Sequence, residues 1–306
     1  MFVEKGIFRN IFNVDFSITS LIKEFMSYCH PLVVMSVVGL LAGLFEIWLL
    51  QTTGGNEQTG FYGLAYSLAA MCFLFTGAMT PLITREFSKS YEQKDLESMQ
   101  KLFSRYIPML YSIAAYFAVF ISFQSENILA IFTDEQFKNA YWVLVVMAFY
   151  PIHQTYGQLS GSIFYATGQT KLYRNISLFL AFVGVLLACL FLYFLELGAI
   201  GLAWKMVAVQ FVGVNIQLYF NAKLLKLDMK KFLWHQIYSV LFFVTMAFIS
   251  TMLTPSGVPL VEFFISGFIY TVLVIISTYA LPQVFATSRD EMRKNLFKAR
   301  QYVAKK

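Results

Sequence analysis

Charge is scarce in this sequence. Asp, Glu, Lys and Arg together account for 13% of its 306 residues, where a soluble domain carries about a quarter. Cysteine is rarer still. Cys29, Cys72 and Cys189 lie in or beside apolar runs with no paired spacing. They read as small packing residues, and they exclude a disulfide framework and a thiolate metal site. The histidines, His30, His153 and His235, are too scattered for a metal cluster, so neither metal nor cofactor is expected. No nucleophile stands beside a base at motif spacing, and no glycine-rich loop is built to cradle phosphate, so nothing points to an enzyme. The first residues, MFVEKGIFRNIFNVDF, lack the continuous apolar core and small-residue cleavage site of a signal peptide.

What the chain has instead is hydrocarbon. Hydrophobic residues make up 58% of it, and the mean hydropathy is +0.63. This composition predicts an all-α, polytopic membrane bundle. Eight segments have the roughly 20 mostly apolar residues that cross a bilayer: 31–50, 61–84, 106–124, 141–166, 176–194, 200–220, 235–253 and 261–282. With the N-terminus inside, the inner segments 1–30, 85–105, 167–175, 221–234 and 283–306 hold 21 of the 23 lysines and arginines. That asymmetry puts both termini in the cytoplasm. It also accounts for the net charge of +6 without nucleic acid, since basic loops face anionic membrane lipids. Trp48, Trp142 and Trp204 fall near outer span edges and Trp234 near an inner one, where interfacial aromatics belong.

Between the spans, residues 1–30 read as a cytoplasmic or interfacial lead-in. Ile7, Phe8, Ile11 and Phe12 fall at helical spacing beside Lys5 and Arg9, as in a helix lying on a membrane or a frayed terminus. Residues 85–105 predict an interfacial helix with Phe87, Tyr91, Met99, Leu102 and Phe103 on one face. The outer loop 125–139 is partly apolar and is expected to dip into the interface. Residues 283–306 form a basic tail at the inner leaflet.

The stretch 141–175 draws most attention. Pro151 interrupts an otherwise spanning segment, and His153, Gln154, Thr155, Tyr156, Gln158, Ser160 and Ser162 follow it. Polar groups are costly in hydrocarbon, so this face looks at other helices or at a wet cavity. Gly157 and Gly161 have the small-xxx-small spacing of close helix packing. Glu46 is the single acid well inside a predicted span, though it lies about one turn from the outer end and headgroup water. Lys205 sits at similar depth, placed either to snorkel outward or to pair with Glu46 across a cavity. His153 is a candidate for proton coupling or for hydrogen-bonded helix packing. The transport-cavity candidates are therefore Glu46, His153, Gln154, Gln158 and Lys205. Arg85, Lys171 and Arg174 stand at inner mouths as phosphate-contact candidates, a placement the inner-side charge bias explains equally well.

Three stretches carry a family resemblance. PLVVMSVVGLLAGLFEIWLL…TGFYGLAYSLAAMCFLFTGAMTPLITREFSK resembles the seventh and eighth helices of bacterial polysaccharide flippases. FYATGQTKLYRN is similar to that family's turn after its tenth helix, and LELGAIGLAW to its glycine-rich loop between the eleventh and twelfth. These flippases belong to the multidrug/oligosaccharidyl-lipid/polysaccharide exporter superfamily, whose fold sets two lobes around a central cavity. The resemblance implies that residues 31–220 form a six-helix C-terminal lobe and residues 221–282 two further helices. It implies a lipid-linked oligosaccharide, such as a lipopolysaccharide precursor, as substrate, moved by alternating access across a bacterial inner membrane. A separate N-terminal-lobe subunit or a second copy would complete the cavity. Family members often carry an Asp-Arg pair in the first of these spans, where this chain has Glu46 and Ile47. A cation-coupled drug exporter of the same fold, or a non-transporting scaffold or remnant, are the alternatives.

Overall fold

The computed structural model describes residues 17–287. The amphipathic pattern at 7–12 and most of the basic tail lie outside them. The described residues form ten α-helices and no strand: α1 (Ile18–Ala70), α2 (Phe73–Glu92), α3 (Leu96–Phe123), α4 (Ser125–Phe132), α5 (Tyr141–Met147), α6 (Tyr150–Ala166), α7 (Thr170–Cys189), α8 (Gly198–Leu224), α9 (Met229–Leu253) and α10 (Pro259–Ala280). Six of these, α1, α3, α8, α9, α10 and α7 with its π-helical extension to Phe194, are each long and apolar enough to span a membrane. Exposed side chains such as Val33, Leu40, Phe182, Leu241 and Phe268 coat the outside of the bundle. An apolar coat of this extent suits lipid and not water.

α1 is a hairpin. Gly55 takes φ +74°, a conformation glycine adopts without a Cβ clash. Gln51 bonds Asn56 across the turn at 3.0 Å, and the Thr52 and Thr53 hydroxyls close back onto the carbonyl of Leu49. Tyr62 and Glu46 line one cavity, although sixteen residues of straight helix would part them by about 24 Å. The chain therefore doubles back at Gly55. The first limb, 18–54, is about 55 Å long at helical rise. That exceeds the roughly 30 Å hydrocarbon core, so its first turns stand outside the apolar layer.

Two expected spans are interrupted. Segment 61–84 divides at Met71–Cys72 between α1 and α2. Segment 141–166 divides at Ala148–Phe149 between α5 and α6. Pro151 supplies the reason for the second break, because it lacks the N–H that would bond Met147 and its ring crowds that carbonyl. The helix ends at Met147 and restarts with proline in the first turn.

The expected interfacial helix at 85–105 is instead the end of α2, a short turn with Lys94 at φ +58°, and the start of α3. Its apolar face turns inward. Phe87, Met99 and Phe103 are fully buried in the main core, because that cluster offers more dry contact than a headgroup layer would. Segment 125–139 is likewise helical, with Ile128 and Leu129 packed against Phe61 and Val143 in a second core, while Phe132 stays exposed.

α3 is the central post. Ile107, Tyr111, Ala114, Ala115, Ala118 and Val119 follow helical spacing and are buried between α6 on one side and α9 on the other. α9 and α10 share this core through Phe243, Ala247 and Tyr270. A hydroxyl ladder ties α2 to α6: Thr76 to Thr155 and Thr84 to Ser162, each at 2.8 Å. Such interhelical bonds contribute about 0.6 kcal/mol apiece, so close packing holds the pair and the ladder sets its register.

Candidate functional site

A cavity of about 610 Å³ opens between both limbs of α1 and helices α6, α7 and α8. Gln154 and Gln158 reach it from α6 at i, i+4. Gln210 and Gln217 reach it from α8 at i, i+7. Tyr62 and Tyr66 form an aromatic wall with their rings stacked at 6.3 Å, and Tyr150 continues it 6.0 Å from Tyr66.

Glu46 and Lys205 meet in this cavity. The Lys205 ammonium donates to Glu46 Oε1, across 159 residues of sequence. Glu46 is 7% and Lys205 5% exposed, so the pair is inside the bundle, and neither snorkels to headgroup water. A buried ion pair is a poor way to gain stability, because desolvation offsets much of the attraction. Removing one partner is far worse, since it strands a charge. Gly184 on α7 makes room for the pair: a Cβ there would lie 3.1 Å from Lys205 Cε and 3.6 Å from Glu46 Oε1.

The other predicted candidates are elsewhere. His153 is not on the cavity wall. Its ring packs 5.1 Å from Phe211 and 6.2 Å from Tyr111, and its buried Nδ1 has no hydrogen-bond partner among the described residues. Residues 153 and 154 point about 100° apart on a helix, which separates His153 from the glutamine face. Arg85 is exposed on α2. Arg174 chelates Asn175 Oδ1 from Nε (3.1 Å) and Nη2 (2.9 Å). Lys171 lines a different pocket, beside Lys23 and Thr170. Gly157 and Gly161 do seat neighbouring helices, Gly157 against Gln210 and Val214 of α8 and Gly161 against Tyr173 of α7. Among the described residues no group of His, Cys, Asp and Glu gathers to hold a metal.

Sequence reasoning missed Tyr62, Tyr66, Tyr150, Gly184, Gln210 and Gln217. The Tyr62/Tyr66 and Gln210/Gln217 spacings are visible in the sequence, but nothing there sets them apart from its many other tyrosines and polar residues.

Comparison with protein families and with curated proteins finds no match. Solved structures do match. A crystal structure of a MATE point mutant superposes with TM-score 0.62 at 17% identity, over 71% of this chain and 49% of that one. The lipid II flippase MurJ, in an inward closed conformation, superposes with TM-score 0.62 at 16% identity, over 90% of this chain and 59% of that one. Over those lengths the chain shares the fold of these two structures. The chain spans about half to three-fifths the length of these two structures, and it is a multi-pass membrane protein.

Proposed function

We propose that this chain forms one lobe of a flippase for lipid-linked oligosaccharides in a bacterial inner membrane, with both termini cytoplasmic. The opposing lobe would come from a separate subunit, a second copy or sequence beyond these 306 residues, and the lobes would rock about the bound cargo to give alternating access. The cavity carries this reading. Four glutamines and four tyrosines around a buried ion pair offer amide donors and acceptors for sugar hydroxyls and flat rings for sugar C–H faces. The 90% coverage by the flippase superposition, against 71% for MATE, points the same way.

A cation-coupled exporter of small molecules is the second reading, favoured by the equal TM-score of the MATE structure. Its difficulty is that the cavity's carboxylate is already neutralised by Lys205. One experiment separates the readings. A strain lacking this protein should lose export of a surface glycan, wild-type chain should restore it, and Gln154→Leu/Gln158→Leu should not. If instead drug susceptibility rises in the deletion while glycan export persists, the exporter reading replaces the flippase.

A further inference from the structure

We propose that the cavity selects a neutral glycan and discriminates against sugars that carry a carboxylate, with the Glu46–Lys205 pair as the selecting element. This rests on the reading of the chain as a flippase and names the class of sugar it accepts. Lys205 and Gln217 line the cavity twelve residues apart on α8, about 18 Å at helical rise. The cavity is therefore long enough for a glycan to lie along it.

The wall offers many hydrogen-bonding groups and no net charge. Among the described residues, Glu46 and Lys205 are the charged side chains of its lining, and they satisfy each other. Arg85, Lys171 and Arg174 stand outside it. A carboxylate drawn against this lining leaves water without meeting a free cation, and an unpaired buried charge is costly. To use Lys205 it must displace Glu46, which strands one carboxylate in place of another. The ion pair thus keeps the lysine of the lining from serving an anionic cargo.

A hydroxyl meets no such obstacle. Gln154, Gln158, Gln210 and Gln217 each carry an acceptor oxygen and a donor NH₂, and a hydroxyl both donates and accepts. Gln217 draws the distinction most sharply. It is 6% exposed on the cavity wall, and its Oε1 is buried with no hydrogen-bond partner among the described residues. An acceptor left without a donor is completed by a hydroxyl and repelled by a carboxylate, which offers acceptors only.

The test uses the purified chain, with any lobe it associates with, in neutral detergent. It is titrated with three polyprenyl-diphosphate trisaccharides, and affinity is read from the saturable rise in thermal midpoint. The three differ in one ring: a neutral hexose, the matching hexuronate, and the methyl ester of that uronate. Carrier and diphosphate are common to all three and cancel. Wild type should bind the hexose at least about tenfold more tightly than the hexuronate, and the ester should recover most of the loss. Glu46→Gln releases Lys205 and should bring the hexuronate within about threefold of the hexose. Because that variant also strands a buried lysine, Ile47→Lys is its companion. Ile47 lines the cavity and is 43% exposed, and a lysine there adds one positive charge to the lining whether it stays free or takes Glu46 from Lys205. The same narrowing is expected. Equal wild-type affinity for hexose and hexuronate overturns the proposal and leaves the flippase reading standing. An ester bound as weakly as the acid also overturns it, since shape and not charge then decides, and so does a preference unmoved by Ile47→Lys. No saturable response to any of the three overturns the flippase reading, and this proposal with it.

Discussion

At the scale of single residues, the account turns on Glu46, Lys205 and Gly184. Removing one charge of a buried pair typically costs about 3–5 kcal/mol, whereas replacing both with neutral groups of similar size is often close to neutral. Lys205→Met alone should therefore lower the thermal midpoint markedly, and Glu46→Gln/Lys205→Met should recover most of the loss. A double mutant as unstable as the single one would mean the ion pair is not what the lysine satisfies. Gly184→Val tests the fit from the other side. Its side chain would enter the space of the Lys205 stem, and overpacking of this kind costs about 1–3 kcal/mol. An unchanged midpoint would show that the pair has slack. Glu46 and Lys205 were legible in the sequence because charges inside apolar spans are few and these two share a depth. Gly184 was not, because a glycine in an apolar helix carries no mark of what it makes room for. His153 shows the converse: a polar residue next to the right face still turns away from the cavity, and sequence alone does not fix the helix's rotation.

The helices show which boundaries the sequence carried. Apolar runs marked the helices long enough to span, although two of the eight expected segments are split, and the polar gap near Gly55 marked the hairpin turn. Pro151 announced a break, though the helix stops four residues earlier, where the missing N–H has its effect. The break at Met71–Cys72 has no proline or glycine at the site, so nothing local announced it. The connection at 85–105 misled because an amphipathic pattern looks the same whether its apolar face meets lipid or a protein core. Its turn offers a test. Asp95 caps α3 by accepting from the Ser98 N–H at 2.9 Å and the Ser98 hydroxyl at 2.6 Å, and these bonds hold its carboxyl below the usual carboxylate range. A depressed folded-state pKa gives stability that is present above the ordinary carboxylate pKa and lost as pH falls through the folded value. Asp95→Ala should thus lower the thermal midpoint at neutral pH, and the difference from wild type should shrink as the carboxyl is protonated. A difference that stays constant with pH would assign the effect to something other than the charged cap.

At the scale of the whole molecule, a membrane helix bundle holds a polar cavity between the α1 hairpin and α6, α7 and α8. The class was legible from composition, since a chain this apolar and this poor in charge has no soluble solution. The cavity's full wall was not, because it is assembled from residues up to 178 positions apart, Gly39 and Gln217 among them. A lobe that works against another should associate. Crosslinking in native membranes should trap either a dimer of this chain or a complex with a second bundle of similar size, and a chain that stays monomeric would remove the two-lobe account in trans. The most direct measurement of the central claim is leaflet exchange. The chain, with whatever lobe it associates with, is reconstituted into vesicles containing a labelled lipid-linked oligosaccharide, and the label reaching the opposite leaflet is followed. Movement above protein-free vesicles that is lost in Gln154→Leu/Gln158→Leu, with the thermal midpoint retained, is the predicted result. Movement no greater than in protein-free vesicles, or equal movement by the cavity variant, would contradict it.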